Sequence, residues 1–150
     1  MVGFPGPLER PDRGCGPATK KILIVDDDAI IVRLLHPHLK AAGYEVLAAA
    51  DAIQGIRSAI SDRPDLILLD LQMPAGGGAS VFEALQKNVR TSLIPIIFVT
   101  AVTDGEVREA CLASGAADFV TKPVEPADLL ARVRRILGDP GPAAPGAAAR

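Results

Sequence analysis

Residues 22–28 read ILIVDDD, a run of four aliphatic side chains that ends in three consecutive aspartates. Three later runs follow the same plan: residues 66–70 read LILLD, residues 96–100 read IIFVT, and residues 118–123 read DFVTKP. If these runs are parallel strands of one sheet, their terminal polar residues share its carboxyl edge, where open α/β sheets bind ligands. The pattern therefore predicts a site of carboxylates, one hydroxyl and one lysine.

Amphipathic segments separate the apolar runs and predict an α/β fold of five βα units around a parallel sheet. Apolar residues at helical spacing, turn glycines and prolines predict the elements. The predicted strands are about 22–25, 45–49, 66–69, 96–99 and 118–120, and the predicted helices are about 29–42, 52–61, 80–87, 106–113 and 126–137. The first, third and fourth strands are apolar on both faces, which is typical of strands between two helical layers.

Pro37 lies in the middle of the first predicted helix. A proline there removes a backbone hydrogen bond and typically costs about 3 kcal/mol. We expect a kink or an early end of the helix, although the apolar spacing continues to Leu39. Asp28 is expected to cap the start of the same helix.

The two ends of the chain differ in composition from its middle. Residues 1–19 are rich in proline and glycine, and residues 138–150 contain no large apolar side chain. Neither end can bury enough surface to offset the entropy of ordering it. We therefore predict a single domain at residues 20–137, with a flexible N-terminal tail at 1–19 and a flexible tail or linker at 138–150.

The composition excludes several classes of protein. A net charge of −2, no tryptophan and a single tyrosine argue against direct binding of nucleic acid. Two cysteines are too few for a disulfide framework and are expected to be free thiols in a reducing compartment. No signal peptide or membrane-length apolar run is evident, so we expect a soluble cytoplasmic protein without membrane insertion.

The acidic residues at the predicted edge suit a hard divalent cation. Asp26 and Asp27 follow the first strand, and Asp70 follows the third. Mg²⁺ prefers oxygen ligands and keeps several waters, so two or three carboxylates and a carbonyl suffice. Without metal, mutual repulsion should raise the pKa of at least one carboxyl group. An aspartate beside Mg²⁺ can attack phosphorus, while Mg²⁺ and Lys122 offset the charge of the transferring group.

These features together resemble the receiver domain of two-component response regulators, a family that includes the chemotaxis regulator. The resemblance covers residues 20–137. The matching features are Asp26-Asp27 after the first strand, the D-x-x-M-P-x-x-x-G pattern from Asp70 to Gly78, Thr100-Ala101 after the fourth strand and Lys122-Pro123 after the fifth. The intervals from Asp70 to Thr100 and from Thr100 to Lys122 also match. It implies a flavodoxin-like, doubly wound (βα)5 fold, a three-layer sandwich whose five-stranded parallel sheet has the order 2-1-3-4-5.

Carried over to these positions, the resemblance implies a phosphoacceptor and a Mg²⁺ site. Asp70 would accept the phosphoryl group from a histidine kinase or a histidine phosphotransfer protein. Asp27, Asp70 and the backbone carbonyl of Gln72 would bind Mg²⁺ directly, and Asp26 would act through water. The function implied is that of a phosphorelay receiver, not an enzyme.

The resemblance also implies a switch. Lys122 would pair with phosphoryl oxygens, Thr100 would turn inward to bind one of them, and Phe119 would turn inward as the threonine moves. The Lys122–Pro123 peptide would be cis. Phosphorylation would reshape the face formed by the fourth helix, fifth strand and fifth helix, with residues 102–107 moving and a downstream protein as the partner.

Three alternatives remain beside this interpretation. Phe119 could be an ordinary core aromatic of a short strand. A phosphohydrolase of the haloacid-dehalogenase type also uses an aspartate nucleophile and Mg²⁺, but it has a second aspartate where this chain has Gln72, and a cap domain for which this chain has no room. A degenerate receiver would lack functional positions that are intact here. Departures from the family pattern are Pro37 and the loop Gly76-Gly77-Gly78, and no output domain is expected at residues 1–150.

Overall fold

The computed structural model describes residues 19–73 and 77–139. These residues form a five-stranded parallel sheet with helices on both faces. The elements in chain order are β1 (Lys21–Val25), α1 (Ala29–Ala41), β2 (Glu45–Ala49), α2 (Ala52–Asp62), β3 (Leu66–Leu69), α3 (Gly77–Lys87), β4 (Ile96–Thr100), α4 (Gly105–Ala113), β5 (Asp118–Thr121) and α5 (Pro126–Leu137).

The strand order is β2-β1-β3-β4-β5, and all four strand pairs are parallel. This is the order that the sequence predicts, and the doubly wound α/β fold is confirmed. Because β1 lies between β2 and β3, the residues that follow β1 and β3 emerge side by side. The register pairs Val25 with Leu69, which brings Asp26 and Asp70 to the same level of the edge.

Alternate residues of the central strands divide the apolar core into two layers. Ile22 and Ile24 of β1 pack with side chains of α1 and α5, whereas Leu23 and Val25 pack with side chains of α2 and α3. Successive side chains of a strand point to opposite faces, and both faces of this sheet are covered by helices. The continuous apolar runs in the sequence follow from this three-layer arrangement.

The helix boundaries correct two expectations. Helix α1 continues through Pro37 to Ala41, so of the two expected effects of Pro37, a kink or an early end, the early end is wrong. Pro37 is exposed, and Leu35 and Leu39 on the buried side keep the helix packed against the sheet. Helix α3 begins at Gly77 rather than near residue 80, and the N–H of Gly78 in its first turn donates to the Leu71 carbonyl outside the helix.

The ends of the described chain meet beside the sheet. Asp139, which lies in the segment predicted from the sequence to be the C-terminal tail, contacts Lys20 and Tyr44. The predicted tail at 1–19 lies outside the described residues except for Thr19, as do residues 140–150. Within the described ranges, no helix has the length and hydropathy needed to cross a membrane. Cys111 is a free thiol, and Cys15 lies outside the described residues.

Candidate functional site

Backbone hydrogen bonds fix the residues of the candidate site at the carboxyl edge. The strand ladder continues one residue past three strands: Asp26 donates its N–H to Ala49, Asp70 donates to Val25, and Lys122 donates to Thr100, all to carbonyl oxygens. Each of these three residues is therefore held by the neighbouring strand and not only by its own loop. The arrangement follows from the parallel sheet, in which the carboxyl ends of all strands lie at the same edge.

Three carboxylates converge at this edge. One oxygen from each of Asp26, Asp27 and Asp70 lies within 4.8 Å of the others. Asp26 and Asp70 are each only 4% exposed, whereas Asp27 is exposed to solvent. Because burying a charge without compensation is costly, such a cluster requires a nearby cation.

Lys122 supplies positive charge to the two buried carboxylates. Its Nζ atom lies 3.0 Å from Oδ2 of Asp26 and 3.3 Å from Oδ2 of Asp70. Burial alone would lower the pKa of Lys122, but the bonds to Asp26 and the charge of Asp70 outweigh it, so the pKa lies above its ordinary value. Lys122 is therefore a fixed cation at the centre of the site.

The carboxyl group of Asp26 has a raised pKa. Desolvation by burial is the largest cause, and it is opposed by the N–H of Asp28, which donates to Oδ1 at 2.9 Å, and by the bond to Lys122. The charge of Asp70 raises the pKa further. Asp28 itself caps α1 by accepting the N–H of Ile30, as the sequence predicts.

Backbone groups hold Asp70 in place. Its Oδ1 atom accepts the N–H of Gln72 at 3.0 Å, while Oδ2 faces Lys122. Gly78 lies against this turn so closely that a Cβ atom on it would overlap the carbonyl oxygen of Asp70. The last position of the D-x-x-M-P-x-x-x-G pattern therefore requires glycine here, because a side chain would collide with the backbone of Asp70. Pro74 and Gly76 lie outside the described residues.

Thr100 and Phe119 lie on neighbouring strands next to this cluster. The Thr100 side chain is fully buried, and its Oγ1 accepts the N–H of Val102 at 3.4 Å. Phe119 is buried between the sheet and the α3–α4 side, with its ring centroid 6.3 Å from that of Phe98. Phe98 in turn contacts Phe82 of α3 at 5.1 Å. The phenyl ring of Phe119 therefore already points into the core in this structure.

The turn after β5 contains a cis peptide bond between Lys122 and Pro123. Val124, which follows, is buried among residues of α1 and α5. Lys122 thus stands at the edge, between β5 and a residue that is fixed in the core. Its position leaves Nζ beside both buried carboxylates.

The donor set fits Mg²⁺. Three carboxylates within 4.8 Å offer the oxygen ligands that this ion prefers, and exposed Asp27 leaves an approach for an ion with bound water. Asp26, Asp27 and Asp70 are the residues that could hold it. Which of them would bind directly, and whether the Gln72 carbonyl takes part, stay predictions.

The sequence identified most of these side chains but not their contacts. It placed Asp26, Asp27, Asp70, Thr100 and Lys122 at one edge, where the structure brings them together. It did not identify Asp26 as a partner of Lys122, nor the row of rings formed by Phe82, Phe98 and Phe119. The alternation of residues in β4 and β5 could have placed Phe98 and Phe119 on one face.

Comparison with known proteins gives one family. The model of the response regulator receiver domain matches residues 22–134. A DNA-binding dual master transcriptional regulator, RpaA of Synechocystis, is 41% identical over 117 residues, which cover 78% of this chain and 48% of that protein. The response regulator PleD of Caulobacter vibrioides is 42% identical over 116 residues, covering 77% of this chain and 26% of PleD. The chain thus spans about half the length of RpaA and a quarter of that of PleD.

Solved structures agree with this result. The chemotaxis protein CheY4 of Vibrio cholerae has a TM-score of 0.74 at 33% identity, covering 79% of this chain and 99% of that one. The receiver domain of the sensor histidine kinase PA1611 of Pseudomonas aeruginosa, with a magnesium ion coordinated in its active site cleft, has a TM-score of 0.73 at 34% identity. That match covers 81% of this chain and all of the PA1611 domain.

Proposed function

Because this chain belongs to the family of response regulator receiver domains, we propose that it accepts a phosphoryl group on Asp70 in a Mg²⁺-dependent reaction. The observation that carries the proposal is the position of Asp70. It is a buried carboxylate, oriented by the Gln72 N–H on one oxygen and by Lys122 on the other, inside a cluster that fits Mg²⁺. The phosphoryl donor would be a histidine kinase or a histidine phosphotransfer protein.

The chemistry needs one bond to form as another breaks. An oxygen of Asp70 forms the new bond to phosphorus while the bond from phosphorus to the donor's imidazole nitrogen breaks, and that nitrogen keeps the electron pair. When bound, Mg²⁺ would neutralise the negative charge on the phosphoryl oxygens. Lys122 would exchange part of its contact with Asp26 for one of these oxygens, because its Nζ lies between both aspartates.

Release of the Thr100 hydroxyl would start the conformational response. In this structure its Oγ1 accepts a hydrogen bond at 3.4 Å, which is at the long end for an N–H donor, so little is lost when it turns to a phosphoryl oxygen. Val102 would then lose this contact, and the segment 102–107 would move. Phe119, which is already buried, would stay inward and pack against Phe98.

The face formed by α4, β5 and α5 is the surface that we propose for a downstream protein. Helix α4 has no buried residue, whereas α1 and α3 each bury three or more. Few buried contacts make a helix easier to displace. A rearrangement of α4 therefore has a lower cost than a rearrangement of α1 or α3.

Intact mass spectrometry tests the acceptor. The protein is incubated with phosphoramidate, whose phosphorus–nitrogen bond resembles that of phosphohistidine, with and without Mg²⁺. We expect a gain of one phosphoryl group that requires Mg²⁺, is labile to base and is absent in Asp70→Asn. Asp28→Asn is the matched control, because asparagine still caps α1 and the residue lies next to the cluster. A gain that persists in Asp70→Asn would overturn the assignment of Asp70.

A further inference from the structure

A cluster of polar contacts joins the last turn of α5 to the opposite end of the sheet from Asp70. Lys20 donates from Nζ to the Leu137 carbonyl and to Oδ1 of Asp139, each at 2.9 Å, and the Tyr44 hydroxyl donates to Oδ2 of Asp139 at 2.8 Å. We name Lys20, Tyr44 and Asp139 the C-terminal clasp. Lys20 and Leu137 are 117 positions apart in the chain, and Tyr44 and Asp139 are 95 positions apart.

We propose that the C-terminal clasp anchors the end of α5, so that this helix can move only at its N-terminal end. The cluster has the features of an anchor. Both oxygens of Asp139 are used, and Tyr44 is only 6% exposed. Hydrogen bonds to charged groups are stronger than neutral ones, and partial burial reduces screening by water.

The helix terminus itself favours this anchor. Gly138 ends α5 in the left-handed conformation, and the Asp139 N–H donates to the Arg134 carbonyl at 2.9 Å. The last carbonyls of a helix carry partial negative charge and attract a cation. The ammonium group of Lys20 bonds to the Leu137 carbonyl. Lys20 therefore provides a hydrogen-bond donor for the end of the helix as well as for the Asp139 carboxylate.

The other end of α5 has no side-chain cap. Asp28, Asp51 and Asp104 cap α1, α2 and α4 with side-chain hydrogen bonds. Glu125, at the corresponding position of α5, makes no side-chain cap bond. Asp118 of β5 contacts Arg132 and Arg135, and therefore links the middle of α5 to the strand that carries Phe119.

The consequence for signalling rests on the proposed function. If phosphorylation displaces β5 and the start of α5, the helix would tilt about its clasped end. Lys20 directly precedes β1 and Tyr44 directly precedes β2, so both lie at the amino edge of the sheet, opposite the edge that carries Asp70. The reshaped surface would then be confined to α4, β5 and the first half of α5.

Hydrogen exchange on the full chain tests the clasp without phosphorylation, so its result is independent of whether Asp70 accepts phosphate. Exchange of the amides of residues 134–139 is compared between the native protein and two variants, Asp139→Asn and Tyr44→Phe. We expect exchange in this turn to rise by about fivefold in Asp139→Asn and less in Tyr44→Phe, since the latter removes one hydroxyl. The first half of α5 should be unaffected.

Asp128→Asn is the matched control. Asp128 lies in the first turn of the same helix and forms an exposed ion pair with Arg132 at 3.1 Å. Its substitution should leave exchange at residues 134–139 unchanged. Equal exchange in this turn for the native protein and both clasp variants would overturn the proposal, and so would a uniform rise along all of α5. Tyr44→Phe keeps the buried ring, so a folding defect of Asp139→Asn would not prevent the test.

Discussion

The Nζ atom of Lys122 lies 3.0 Å from Oδ2 of Asp26, closer than its 3.3 Å approach to Asp70. Lys122 thus neutralises the carboxylate that is not the proposed acceptor, while remaining within reach of the one that is. The same cation therefore stabilises the cluster in the absence of metal and stands beside the proposed position of the phosphoryl group. Competition between Lys122 and a divalent cation follows from this geometry.

Replacing Lys122 should strengthen Mg²⁺ binding. Lys122→Met removes a positive charge beside Asp26 and Asp70, so the cluster becomes more attractive to a cation. We expect about a tenfold lower dissociation constant, which corresponds to roughly 1.4 kcal/mol, together with slower phosphorylation. Isothermal titration with Mg²⁺ measures the first effect. Lys87→Met, which removes an exposed lysine of α3, is the control; an unchanged or weaker affinity in Lys122→Met would show that the two cations do not compete.

Gly78→Ala should destabilise the protein. A Cβ atom at this position would overlap the backbone of Asp70 and Leu71, neither of which can move without disturbing β3. We expect a loss of about 2–3 kcal/mol in the free energy of unfolding, measured by urea titration. Gly105→Ala is the control, because nothing lies within 4 Å of a Cβ there and alanine favours helix α4. The prediction fails if the two variants are equally stable.

Arg63→Gly should stabilise the fold. Arg63 ends α2 in the left-handed conformation with φ of 51°, a region that side chains with a Cβ adopt at a cost. We expect a gain of about 0.5–1 kcal/mol in thermal or urea unfolding, after the entropy of glycine in the unfolded chain is subtracted. Gly43→Ala tests the same effect in reverse. Gly43 has φ of 100° and open space around it, so its loss of stability would come from the backbone alone.

Asp139 should make stability depend on pH in the acidic range. Burial raises the pKa of its carboxyl group, but the bonds from Lys20 and Tyr44 lower it more, so the net direction is down. A carboxyl group with a lowered pKa contributes stability above its unfolded pKa, and that contribution is lost as pH falls through the folded pKa.

The native protein should therefore exceed Asp139→Asn in free energy of unfolding by about 1 kcal/mol at pH 7. The difference should persist to about pH 5 and shrink below about pH 4, where aspartate is protonated in the unfolded chain. Urea titrations at pH 7, 5 and 3 measure it. A difference that grows toward low pH would contradict the assigned sign.

The sequence by itself determined the elements of the fold and the chemical character of the site. Runs such as residues 22–25 predict buried strands from local composition. The aspartates, threonine and lysine at the ends of the strands reach one edge because the carboxyl ends of parallel strands all lie on the same side of the sheet. Helix α5 begins at Pro126 and ends at Leu137 as predicted. These features depend on residues that are close in the chain, where periodicity and capping act.

Only the tertiary structure decided which side chains meet. The pairing of Lys122 with Asp26, the contact of Gly78 with Asp70, and the clasp of Lys20, Tyr44 and Asp139 each depend on the register of the sheet and on how far a helix lies from it. Helix α1 passes through Pro37 because Leu35 and Leu39 hold it against the core, a packing effect that outweighs local propensity. Distances between residues far apart in the chain are set by packing of the whole molecule, which local patterns do not encode.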